Sequence, residues 1–175
     1  IPFSWLGAII CYLWGRDLYG RPVGLMACFI WCFEPTTLAH SSLITPDAHS
    51  AALGMAACYT FWIWLKNPTW MRAAATGIVL GLAELGKTTF VLLYPLWPVI
   101  CILYRCSGRP LPNAGRWIRE AAMLCLRMAI GLYILNIGYG FEGALKPLGD
   151  FVFVSRLFSE TASRWQTKII SDEHS

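Results

Sequence analysis

The sequence predicts an all-α fold, a multi-pass transmembrane bundle with about six helices in this stretch of chain, and three observations lead there. Hydrophobic residues make up 57% of the 175 and charged residues only 14%, whereas a soluble domain would carry about 25% charge. The apolar residues fall in runs separated by short turns, and mean hydropathy is +0.52. The basic residues sit in alternate turns, interrupted by apolar runs rather than gathered on one face, so the net charge of +4 reads as a membrane-topology signal. No nucleic-acid partner is predicted.

Taken in order, Ile1 to Trp14 is the tail of a first helix, and Gly15 to Arg21 is a turn with two arginines. The chain opens inside an apolar run with no Met and no charged leader region, which predicts an internal fragment rather than a signal peptide. Pro22 to Ala39 is the second helix, closed by Pro35 and a Ser/Thr cluster. Thr45-Pro46-Asp47 opens the third, because a threonine hydroxyl caps free N–H groups and proline suits the first helical position. That helix runs to Leu65 and ends in Phe61, Trp62 and Trp64, read as an aromatic interface belt. After the basic turn 66–72, Ala73 to Leu85 and Phe90 to Tyr104 form a helical pair broken at Gly86-Lys87. The most basic loop covers 105–119, and Ala121 to about Tyr139 is the last clear span.

Arg16, Arg21, Lys66, Arg72, Arg105, Arg109, Arg116 and Arg119 all fall on one side, and the opposite short loops hold only Lys87. The positive-inside rule makes the first side cytoplasmic. It places residues 40–47, Lys87 and everything after Tyr139 on the outer, periplasmic, extracellular or lumenal face. Two regions follow: 1–139 as a transmembrane helical region of a larger module, and 140–175 as an external segment on the membrane surface, where Gly138, Gly140 and Pro147 argue against continuous helix. The seven cysteines lie in or beside apolar segments without zinc spacing, and read as small buried side chains.

The polar island 34–47 and the break Glu84-Leu-Gly-Lys87 share the outer face and predict a site. Asp47 is a cap, since carboxylates are favoured near a helix start, and a capped carboxylate is also a well-positioned one. Lys87, a lysine at the mouth of two apolar helices, is a functional candidate. Its partner is either Glu84, one turn earlier, or a lipid phosphate. His40 and Thr45 are substrate-binding candidates with Asp47 and Lys87, and His40 and His49 are weak metal candidates, more often interfacial hydrogen-bonders. Arg127, about one turn inside the last span, is expected to snorkel to the basic loop. Lys87-Thr88 lacks the glycine spacing of a phosphate-binding loop.

The Arg-x-Leu-Tyr-Gly-Arg turn at 16–21, the Leu-Ala-His-Ser stretch with Thr-Pro-Asp47, and Gly-Ile-Val-Leu-Gly-Leu-Ala-Glu-Leu-Gly-Lys87-Thr before an apolar helix resemble one family over roughly Trp14 to Tyr104. It is the GT-C-type membrane glycosyltransferases, in the family-39-like group of protein O-mannosyltransferases and lipid A aminoarabinose transferases. The resemblance implies transfer of a sugar from a polyprenyl-phosphate donor to a protein or lipid hydroxyl on the outer face. It implies Asp47 and Lys87 beside the active-site cavity, a divalent cation as a candidate cofactor, and an acidic catalytic base upstream of Ile1. On that reading this piece alone is expected to be inactive. The alternatives are a multi-pass transporter, which predicts polar groups at mid-membrane depth, and a non-catalytic membrane scaffold.

Overall fold

The computed structural model describes residues 2–35, 46–107 and 113–141. The chain divides into two compact units, Ile1–Gly138 and Tyr139–Ser175, and the second is described only at 139–141. The first unit is a helical bundle: α1 Pro2–Tyr19, α2 Arg21–Phe33, α3 Pro46–Lys66, α4 Trp70–Gly86, a 3-10 helix Thr88–Leu92, α5 Leu93–Cys106 and α6 Ala114–Gly138. No strand occurs among the described residues, and the six α-helices give the all-α bundle that the sequence predicts. Thr88–Cys106 and Ala114–Gly138 are long and apolar enough to cross a membrane. The 25 residues of α6 rise about 37 Å, beyond the ~30 Å of a hydrocarbon core.

Neighbours pack in the order α2, α1, α3, α4, α6. Two of these interfaces are set by glycine. A Cβ on Gly24 of α2 would lie 2.7 Å from the Tyr12 carbonyl of α1, so only glycine permits that crossing. On α4, Gly77 and Gly81 stand four apart, and a Cβ on them would lie 2.6 Å from the Arg127 carbonyl and 2.9 Å from the Gly131 carbonyl of α6. This small-residue spacing lets two helix backbones meet directly. α5 joins through its side chains, with Trp97 stacked on Phe61 of α3 at 4.6 Å and 2°. The outer faces of α2 and α5 expose Leu25, Met26, Phe29 and Phe33, and Leu96, Val99 and Leu103, an exterior suited to lipid.

Several boundaries differ from expectation for local reasons. α1 continues through Gly15 to Tyr19, because Arg16 and Asp17 pair at 2.9 Å within the helix; the turn is made at Gly20, whose φ is 96°. α2 ends at Phe33 rather than Ala39, since Glu34 precedes Pro35 and takes an extended conformation (φ −68°, ψ 121°). α6 begins seven residues before the expected Ala121, as Ala114. Two of the charges that suggested a loop, Arg105 and Arg116, are paired: buried Glu120 accepts from Arg105 Nε at 2.8 Å and Arg116 Nε at 3.1 Å, while Arg105 Nη2 donates to the Leu65 carbonyl at 3.0 Å.

Arg127 does not snorkel. It is 0% exposed, with its guanidinium carbon 3.5 Å from the Trp64 ring centroid and 5.1 and 5.8 Å from those of Phe61 and Trp97. Phe61 and Trp64 are accordingly core residues rather than an interface belt, and of that aromatic group only Trp62 keeps partial exposure, beneath Lys66. Cation–π attraction strengthens away from water. Even so, Arg127 Nη1 and Nη2 have no hydrogen-bond partner among the described residues.

Candidate active site

The site is built where the start of α3 meets the end of α4. α3 is described from Pro46, and the sequence predicts a helix over this stretch. α4 stops at Gly86, and Lys87 turns extended (φ −157°, ψ 116°), its N–H donating to the Ala83 carbonyl at 3.0 Å. The two helix ends touch through small residues. A Cβ on Gly86 would stand 2.8 Å from Ser50 Oγ and 3.2 Å from His49 Cδ2, so the absence of a side chain at 86 admits α3. Four residues beyond Gly86, the ring of Phe90 fills the space over Gly54 of α3, and a Cβ there would collide with it. Lys87, exposed at the break, is held between these two contacts.

Helical periodicity then orders the opposing surface. Ser50 and Gly54 are four positions apart and form one stripe on α3. Ser50 and Gly54 of that stripe meet Gly86 and Phe90, and the Asp47 side chain lies outside the described residues. The break at Gly86-Lys87 therefore meets the first turns of α3 at His49 and Ser50. His40 and Thr45 lie outside the described residues.

Glu84 lies in the last turn of α4 and is 1% exposed. An ion pair with Lys87 is one of the alternatives for it; its Oε2 accepts a hydrogen bond from Tyr94 O–H of α5 at 3.1 Å, and Oε1 has no hydrogen-bond partner among the described residues. The Tyr94 hydroxyl also occupies the space above Gly131 of α6, tying the region after the break to α4 and α6. Buried polar groups are costly unless hydrogen-bonded, which gives the Tyr94 contact structural weight.

His49, a weak metal candidate, faces the Phe3 ring at 5.5 Å and the backbone at Gly86. Among the described residues no three His, Cys, Asp or Glu side chains gather as a ligand set, and His40, the other metal candidate, lies outside them. Ser50, Gly54, Phe90 and Tyr94 were not singled out from sequence. Ser50 and Gly54 carried a signal, two small residues four apart on one helix; the Tyr94 partnership crosses a helix break and carried none.

The family model described as dolichyl-phosphate-mannose-protein mannosyltransferase matches residues 3–134, about three quarters of the chain. No curated protein and no solved structure matches it. The matched span takes in every described helix up to Ile134, including the α3 start and the Lys87 break. This helical membrane protein therefore belongs to the dolichyl-phosphate-mannose-protein mannosyltransferase family, a family of membrane glycosyltransferases.

Proposed function

We propose that the protein transfers a sugar from a polyprenyl-phosphate-linked donor to a hydroxyl of a protein or lipid at the outer face of the membrane, with its basic turns cytoplasmic. The observation that supports this reading is the seating of Gly86 on Ser50 and His49, which brings the break before Lys87 to the first turns of α3 in a chain of this family. The acceptor oxygen attacks the anomeric carbon, a carboxylate takes the acceptor's proton, and the bond from the sugar to the phosphate oxygen breaks. Negative charge then grows on the departing phosphate, and Lys87 supplies a positive charge where it grows. Asp47, fixed in the first turn of α3, orients the sugar or the lysine, while His40 and Thr45 on the polar island contact the substrate. The polyprenyl tail lies along the apolar outer faces of the helices.

The test is transfer of a labelled sugar from a polyprenyl-phosphate donor by membranes expressing the protein, wild type beside Lys87→Ala and Asp47→Ala. Loss of one preorganised charge contact lowers turnover by about a hundredfold or more. Equal transfer by wild type and both variants at matched expression removes these residues from the site. A transporter reading finds one supporting observation, the buried Arg127 within the bundle. The aromatic rings around it leave it closed to solvent, and uptake of free sugar by proteoliposomes without transfer would establish that reading instead.

A further inference from the structure

At the basic end of the bundle, away from Lys87, a cavity of about 320 Å3 opens between the ends of α1 and α3 and the start of α4, lined by Asp17, Trp62, Ile63, Lys66, Asn67 and Arg72. We propose that this cavity binds the headgroup of an anionic phospholipid, whose phosphate is held by Lys66 and Arg72. Its volume falls in the range of small-molecule sites, roughly 300–1,000 Å3. The charge balance favours an anion. Asp17 is answered within the wall by Arg16 at 2.9 Å and by the Tyr59 hydroxyl at 2.9 Å, so Lys66 and Arg72 remain as excess positive charge.

Both cations are set in place by the fold. The Lys66 ammonium lies 3.6 Å from the Trp62 ring centroid, and Arg72 Nη1 donates to the Asn67 carbonyl at 3.1 Å. One guanidinium hydrogen bond to a carbonyl leaves further donors of the planar fork for phosphate oxygens. Arg72 is itself fixed at the third position of α4, where its N–H reaches the Thr69 cap at 3.4 Å. The lipid, rather than a free phosphate, is indicated by the flanking residues. Leu18 and Tyr19 beside Asp17, and Trp70 and Met71 beside Arg72, are exposed, with Met71 at 84%. Exposed aromatic and aliphatic residues next in sequence to the walls of a cationic pocket suit a headgroup site whose acyl chains continue along apolar protein surface. The inference does not depend on the sugar-transfer reading, because the cavity is at the opposite end of α3 and α4 from Gly86.

The experiment uses the protein purified in neutral detergent and titrated with phosphatidylglycerol, phosphatidylcholine of the same acyl chains, or glycerol phosphate, with bound lipid counted by native mass spectrometry. Wild type is expected to retain phosphatidylglycerol under activation that strips phosphatidylcholine. Lys66→Gln/Arg72→Gln is expected to bind phosphatidylglycerol about thirtyfold more weakly, equivalent to roughly 1 kcal/mol per cation removed. Arg119→Gln, at an exposed arginine in the first turns of α6, is expected to leave binding unchanged. Equal retention of the two lipids by wild type, or undiminished binding by the double variant, overturns the proposal. Displacement of the lipid by an equal concentration of glycerol phosphate overturns its lipid part and leaves a soluble anion site. The wild-type comparisons decide the matter even if the double variant fails to fold.

Discussion

Gly86 of α4 and Ser50 of α3 meet so closely that a Cβ on the glycine would lie 2.8 Å from the serine hydroxyl oxygen. This contact sets the distance between the two helix ends that carry Lys87 and Asp47. Gly86→Val puts a branched side chain against Ser50 and His49 and forces the ends apart. Sugar transfer is expected to fall about a hundredfold, the scale of a 1 Å misplacement at a reacting centre. Gly86→Ala is expected to be milder, because the Ser50 hydroxyl can rotate away. Wild-type turnover by Gly86→Val at normal expression would show that the contact does not position the site.

The close approach of α4 and α6 is a second, independent dependence on glycine. Carbonyl oxygens of α6 stand where side chains at 77 and 81 would begin, and backbone cannot move aside as a flexible side chain does. Gly77→Leu and Gly81→Leu are each expected to destabilise the bundle by about 1–3 kcal/mol, the ordinary cost of overpacking. Thermal unfolding in detergent measures it, and unchanged midpoints would contradict the packing described.

The outcome at the boundaries shows what a linear sequence reveals. Thr45-Pro46 predicts a helix from 46 because proline chemistry acts within the residues that carry it, and α3 covers Pro46–Lys66 among the described residues. The same local reasoning misplaced the end of α1 and the start of α6, where charged residues suggested loops. Arg16 is answered by its neighbour Asp17 and Arg116 by Glu120 one turn on, so the helix carries them. The aromatic run 61–64 shows the limit most clearly. Its period identifies a helix end, but whether Trp64 faces headgroups or Arg127 depends on a residue 63 positions away, a pairing only the tertiary fold supplies. At the candidate site, the Glu84–Tyr94 contact was not legible, because it joins residues on either side of a helix break.

Glu120 holds two arginines at the basic end while 1% exposed. Removing one partner of a buried pair strands the other charge, so Glu120→Ala is expected to cost about 3 kcal/mol or more. The double change Arg105→Met with Glu120→Leu removes both charges and is expected to cost markedly less. Comparing the two unfolding midpoints checks this, and a double variant less stable than Glu120→Ala would reverse the account.

Arg127 leads to the opposite expectation. Two of its nitrogens have no hydrogen-bond partner among the described residues, which offsets what the Trp64 ring contributes. Arg127→Met fills a similar volume without charge and is expected to hold stability within about 1 kcal/mol of wild type, or to raise it. Arg127→Lys is expected to be worse than Met, because an ammonium keeps the buried charge and loses the planar stack on Trp64. A severe loss in Arg127→Met with Lys tolerated would mean that the charge itself is required.

The most direct test of the central claim, that the start of α3 and the Lys87 break form one site, is a double-mutant cycle in the sugar-transfer assay. Lys87→Ala, Asp47→Ala and their combination would be compared with wild type at matched expression. Residues serving one phosphate–sugar centre are expected to couple, the double variant losing less than the product of the single losses by roughly 0.5–3 kcal/mol. Strictly multiplicative losses, or transfer that neither single change reduces, would contradict a shared site.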